Sequence, residues 1–182
     1  ELVMIKGERP AICCDINIDL AVHAFEYGGV KPEQIVKTTD VAEASAAIKA
    51  GKYVATNDSK LVTSTPEIDV VVDVTGVPDV GARIALDAIA GKKHIVMMNV
   101  ESDVVIGPYL NKLAQEAGVV YTGTNGDEPG AVMELYDFAT AIGLNVEVIG
   151  KGKNNRIDRA CNPDTVLEEA TRRKMSPKML CA

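Results

Sequence analysis

The chain has 182 residues, enough for one ordinary domain and a fraction of another, and 47% of them are apolar, enough to bury a core. A formal net charge of −7 argues against general nucleic-acid binding, which depends on neutralising phosphates. No apolar run is long enough to span a bilayer, so no membrane partner is expected.

The N-terminal Glu1-Leu2-Val3-Met4-Ile5-Lys6 lacks the basic region and sustained apolar core of a signal peptide. The four cysteines show no C-x-x-C spacing, and adjacent Cys13 and Cys14 point to opposite faces of their strand, so reduced thiols in a cytoplasmic protein are expected.

Strands alternate with helices along the chain. Pro10 to Cys14 is predicted as a short apolar strand ending at Asp15-Ile16-Asn17, followed by a helix over 19–27 that stops at Gly28-Gly29. Asp40 with Glu43 three residues later forms a capping-box pattern; Ala44, Ala47 and Ile48 share one face of the helix it opens, and Gly51 stops it. Tyr53-Val54-Ala55 is a weak strand. The strongest is 70–74, a β-branched run of the kind buried on both faces of a parallel sheet.

A helix is predicted from Pro78 to Gly91 with Val80, Ile84 and Ala88 inward, then a strand over 94–98 leading into a loop at Asn99-Val100-Glu101-Ser102. Pro108 is read as the start of the next helix, with Leu110, Leu113, Ala114 and Ala117 inward and Gly118 as its stop. A strand at 119–121, a helix after Pro129 and a strand over 145–150 follow. Asn162-Pro163-Asp164 caps a last helix, with Glu168 and Glu169 early and Arg172, Arg173 and Lys174 late, complementing its dipole. This rhythm predicts an α/β fold with a doubly wound parallel sheet.

Open α/β sheets bind ligands beyond the carboxyl ends of their strands. Two clusters fall there: Asp127 and Glu128 at a glycine-bounded turn, and Gly150-Lys151-Gly152-Lys153-Asn154-Asn155 after the following strand. The carboxylates also suit a plain helix start, and the basic run also suits a solvated loop. A local positive site in an acidic chain fits a phosphorylated or carboxylate substrate. A lysine there could donate a proton, and Asn154 and Asn155 could bind hydroxyls.

Asp127 and Glu128 could hold a divalent metal, but two adjacent carboxylates make a thin site, so no metal ligand is assigned. His23 and His94 have no serine or cysteine partner at a recognisable motif, so a nucleophilic triad is not expected. No G-x-G-x-x-G occurs, so the usual pyrophosphate cradle is missing. Asp15 ends the first strand, either as a turn former or where a ribose hydroxyl would sit.

Cys14-Asp15-Ile16-Asn17, Asp73-Val74-Thr75-Gly76, Met97-Met98-Asn99-Val100-Glu101, Gly126-Asp127-Glu128-Pro129-Gly130 and Gly150 to Asn155 resemble homoserine-dehydrogenase-like oxidoreductases. More narrowly, they are similar to the branch that includes 1-deoxy-D-xylulose 5-phosphate reductoisomerase-like (DRL) enzymes.

The resemblance implies a Rossmann-like NAD(P)-binding domain over 1–128 and the start of an α+β catalytic domain over 129–182. It places Asp15, Asn17, Thr75, Gly76, Asn99 and Glu101 at the cofactor, and Lys151, Lys153, Asp127, Glu128, Asn154 and Asn155 at the substrate. Members are longer, with a glycine loop before the segment matching Pro10 and a SAF-type domain at the end, so the chain is expected to be a central piece. The implied substrate is a small hydroxylated carbonyl compound, phosphorylated in isoprenoid precursor synthesis, and homo-oligomers fit the pattern.

The resemblance points to NADPH. Asp15, with no arginine in the next few residues, points to NAD, so both cofactors stay open. Homoserine dehydrogenase activity and a non-catalytic binding module that has lost its cofactor loop are the alternatives.

Overall fold

The computed structural model describes residues 2–124, 128–150, 158–173 and 175–181, with the side chains of Glu128, Pro129 and Met179 outside that description. Six strands and eight helices are formed by the described residues: β1 (Ile12–Cys14), α1 (Ile18–Tyr27), β2 (Ile35–Lys37), α2 (Val41–Lys49), β3 (Tyr53–Thr56), α3 (Ser59–Ser64), β4 (Val70–Asp73), α4 (Pro78–Ala90), β5 (His94–Met97), α5 (Val100–Ala117), β6 (Tyr121–Gly123), α6 (Glu128–Ala141), α7 (Leu167–Arg173) and α8 (Pro177–Cys181). The chain divides into two compact units, Glu1–Leu144 and Asn145–Ala182.

In the first unit every ladder is parallel, as the alternation of strands and helices demands. The strands form two three-stranded sheets, in the orders β1-β3-β2 and β4-β5-β6. Val54, Ala55 and Thr56 are buried in succession, so β3 is enclosed on both faces. Helix α1 packs on all three strands of the first sheet, while α2 packs on β3 and α3 on β1. Helices α4 and α5 pack on each other and cover one face of the second sheet, where Val71, Ile95, Met97, Ala85, Leu110 and Ala114 form the core.

Lys93 helps join the halves. It is 6% exposed, and its ammonium donates to the carbonyls of Thr65 and Ile68, each at 2.7 Å. Burial pulls its pKa down, since desolvation penalises the charged form. Ile68 itself packs against the cores of both sheets.

Five expectations change. Val70, Val72 and Val74 are 47%, 44% and 66% exposed, so β4 is covered on one face only. The buried stripe of α4 is Gly81, Ala85, Ala88 and Ile89, and Val80 lies outside it. Helix α5 begins at Val100, with Pro108 inside it, because Asn99 already caps the helix by accepting from the Ser102 amide. The segment over 145–150 forms no strand, since its alternation finds no ladder partner among the described residues. At Asp40 the side chain caps α2, but the Glu43 carboxylate accepts from the Thr38 hydroxyl instead of closing the reciprocal bond. The inward face of α5 agrees with expectation: Leu110 and Ala114 are fully buried, with Leu113 and Ala117 packed beside them.

Helix α6 leaves Met133, Leu135 and Phe138 50–70% exposed. In the second unit, α7 packs against α8 and buries Ala170. Glu169 pairs with Arg172 and Arg173 one turn on. Among the described residues, no helix is long and apolar enough to cross a membrane.

Candidate functional site

Asp73, the last residue of β4, is 2% exposed, and a buried carboxylate is tolerable only if its lone pairs are used. Its Oδ1 accepts from the Thr75 amide at 3.0 Å, which turns the chain at once after the strand. Its Oδ2 accepts from Asn99 Nδ2 at 3.1 Å. That amide also lies 3.1 Å from Thr75 Oγ1 and 3.0 Å from the Val77 carbonyl, so Asn99 binds the whole turn after β4.

Ser102, 1% exposed, extends the lock by donating from Oγ to the Pro78 carbonyl at 2.6 Å. Gly81 faces this cluster: a Cβ there would run into Asn99 Nδ2, Asp73 Oδ2 and Ser102 Oγ. The turns after β4 and β5 are thus fixed to each other by buried polar groups.

On this lock sit the groups that face outward. Thr75 is exposed, and Gly76 takes a left-handed φ of +65° with open space where a Cβ would be, so backbone can approach a ligand there. Glu101 is exposed in the first turn of α5. Asn99, by contrast, is fully buried, so it holds the turn rather than facing the ribose. Thr124, just past β6, has a buried hydroxyl with no partner among the described residues. Sequence reasoning did not single it out, and a threonine after a Thr-Gly pair carries no distinguishing signal.

At the carboxyl edge of the first sheet, Asp15 N continues the ladder by donating to the Thr56 carbonyl, and Asp15 Oδ1 accepts from Asn17 N at 2.8 Å. Asn17 is exposed and uses its side-chain oxygen to cap α1 through the Asp19 amide. Lys37, at the end of β2, pairs with Asp19 at 2.7 Å, which places a cation at this edge that the order of residues near Asp15 did not reveal. Burial chiefly raises both thiols beside this turn; Asp15 adds to it at Cys13, and Cys13, Asp58 and then Asp15 add to it at Cys14, which is pushed up to about 11.

The structure therefore groups the expected cofactor residues at two strand edges: Asp15 and Asn17 at one, Thr75, Gly76, Asn99 and Glu101 at the other. Asp127, Lys151, Lys153, Asn154 and Asn155 lie outside the described residues, as does the Glu128 side chain. An accessible carboxylate, an exposed threonine and a glycine turn fit the ribose and nicotinamide ends of a dinucleotide. No glycine-rich loop is present in the sequence to fit its pyrophosphate. Among the described residues, no group of three or more His, Cys, Asp or Glu side chains could hold a metal ion.

Two known families match parts of the chain. Residues 126–182 match the family described as oxidoreductase DRL, catalytic domain. No curated protein matches the chain. Residues 21–122, which carry β2 to β5 and the lock, match the family described as homoserine dehydrogenase, NAD binding domain. The chain thus carries domains of NAD(P)-dependent oxidoreductases, and it belongs to the homoserine dehydrogenase NAD-binding domain family.

Proposed function

We propose that the protein is an NAD(P)-dependent oxidoreductase acting on a small hydroxylated carbonyl substrate, and that the reaction is reductoisomerisation of 1-deoxy-D-xylulose 5-phosphate in isoprenoid precursor synthesis. The observation that carries this reading is the exposed Thr75-Gly76 turn, held by the buried Asp73–Asn99 bond at the carboxyl edge of a parallel sheet. The cofactor domain is assigned to 1–128 and the catalytic domain to residues from 129 onward.

In this reading Thr75, Gly76 and Glu101 line the nicotinamide side, Asn99 positions them from behind, and Asp15 and Asn17 meet the adenosine ribose. When bound, the cofactor would supply a hydride to the carbonyl carbon of the rearranged substrate. Lys153 gives a proton to the carbonyl oxygen, Lys151 offsets substrate negative charge, and Asn154 and Asn155 bind hydroxyls. A divalent ion held by Asp127 and Glu128 would polarise the carbonyl. The exposed apolar side chains of α6 support self-association.

Assay of the full-length protein with 1-deoxy-D-xylulose 5-phosphate and either reduced cofactor tests this, with substrate-dependent cofactor oxidation expected. Oxidation with aspartate semialdehyde alone would instead assign homoserine dehydrogenase activity. A metal titration of the same assay reads the carboxylate pair.

A second reading is a binding module without turnover, since no G-x-G-x-x-G run occurs within these 182 residues. Calorimetry of the 182-residue chain with both cofactors is expected to give weak or no binding. Micromolar binding would show the loop to be dispensable.

A further inference from the structure

The sulfurs of Cys161 and Cys181 lie 3.2 Å apart, in thiol–thiol contact, though 20 positions separate them in the chain. Each is placed by its own local structure. Cys161 N donates to the Asp158 carbonyl, and the next residue, Asn162, uses its side-chain oxygen to accept from the Asp164 and Thr165 amides, so the turn before α7 is fixed. Cys181 closes α8, where the Leu180 amide donates to the Ser176 carbonyl. The fold of the second unit, rather than a shared loop, brings the two thiols together. Both are half-buried, hence open to a small oxidant. Forming a bond would draw the sulfurs in by only about 1.2 Å, to the ordinary length near 2.05 Å.

We propose that Cys161 and Cys181 are a reversible dithiol–disulfide pair that, when oxidised, staples α8 to the turn before α7. The oxidant is a low-molecular-weight disulfide. One cysteine thiolate attacks a sulfur of that disulfide, forming a mixed disulfide and releasing one small thiolate. The second cysteine thiolate attacks the protein sulfur of the mixed disulfide and releases the other. Two protein thiols are oxidised, one small disulfide is reduced to two thiols, and the two cysteine protons pass to the released thiolates.

The Cys181 thiol is pushed up to about 11, chiefly by burial and then by its bond to Cys161. At neutral pH it is therefore protonated, and exchange through its thiolate is faster in mildly alkaline solution. Cys13 and Cys14 are adjacent on one strand with their side chains on opposite faces, so they offer no competing pair with each other.

The test is to incubate the full chain with oxidised glutathione at mildly alkaline pH, alkylate the remaining thiols and map the peptides. Two of the four thiols should disappear, with loss of two hydrogens from the intact mass, a Cys161–Cys181 linked peptide, and Cys13 and Cys14 alkylated. Dithiothreitol should restore all four. The double variant Cys13→Ser, Cys14→Ser should form the same link, and hydrogen exchange in α8 should slow on oxidation. Persistent glutathione adducts without an internal link, a link through Cys13 or Cys14, or links only between molecules would overturn the assignment. The wild-type peptide map decides this even where Cys161→Ser or Cys181→Ser fails to fold.

Discussion

Asn99 Nδ2 lies 3.1 Å from Asp73 Oδ2, and neither residue has more than 2% of its surface exposed. Removing the Asn99 amide leaves Asp73 Oδ2 buried without its partner. Asn99→Ala is therefore expected to cost about 3 kcal/mol, combining the orphaned Asp73 oxygen with the lost cap of α5. Asn99→Asp keeps a capping oxygen but sets a second carboxylate against Asp73, so it should be at least as damaging. Urea unfolding of the two variants measures both.

Gly81→Ala should destabilise, against the usual sign for a helix interior. An alanine there gains roughly 1 kcal/mol of helix propensity. Its Cβ would displace three buried polar atoms, a crowding cost of about 1–3 kcal/mol before any bond is lost. A net loss of stability in thermal unfolding is the expected outcome, and a stabilised variant would show the lock to be looser than its geometry.

Glu67 should contribute to acid stability. Its Oε1 accepts from Ser45 Oγ at 2.7 Å and lies 3.0 Å from Lys49 Nζ, and its side chain is 17% exposed. The Ser45 bond, then Lys49, hold the carboxyl at about 2 instead of its ordinary 4.5. A depressed folded-state value favours folding above pH 4.5, and this contribution is lost as pH falls from there toward 2. Glu67→Gln should flatten stability over that window and leave the shape of the curve above it unchanged, as read by unfolding at a series of pH values.

Asp15 separates charge from geometry. Asp15→Asn keeps an oxygen to accept from the Asn17 amide while removing the carboxylate charge. In the full-length enzyme it should raise kcat/KM with the 2′-phosphorylated cofactor relative to the unphosphorylated one by about tenfold, the effect of relieving a like-charge contact. An unchanged ratio would place the ribose elsewhere.

Lys153→Ala should lower kcat/KM of the full-length enzyme by about 10²-fold or more, with cofactor affinity nearly unchanged. Lys151→Ala should do less. Equal small losses would return this basic run to a solvated loop, and a large loss at Lys151 alone would exchange the two assignments.

Strong local signals were legible in the sequence. The run 94–98 became β5, Gly118 closes α5 with a left-handed φ, and Asp40 caps α2 as its spacing indicates. Weak ones were not. The strand Ile35–Lys37 has only three residues after a proline turn, and α3 has six, although Asp58 caps it by accepting from Lys60 N. Pro108 misled because proline marks a first helical turn more often than an interior position, whereas Asn99 carried the true start.

At the candidate site, position along the chain indicated the strand ends but not depth. Nothing local distinguishes the exposed Thr75 from the buried Asn99, because burial is set by α4 and α5 folding over the turn.

Among the described strands, only β3 and β5 have neighbours on both sides; the other four are edges. Each sheet is thus a small cooperative unit around one central strand, and amides of β3 and β5 can exchange with solvent only when that unit opens. Lys93, whose ammonium binds the carbonyls of Thr65 and Ile68, and Ile68, which packs against both cores, link the two. The proposed cofactor site therefore draws on two local stabilities rather than one, and a ligand spanning both edges would couple them, adding its binding free energy to whichever sheet opens more readily.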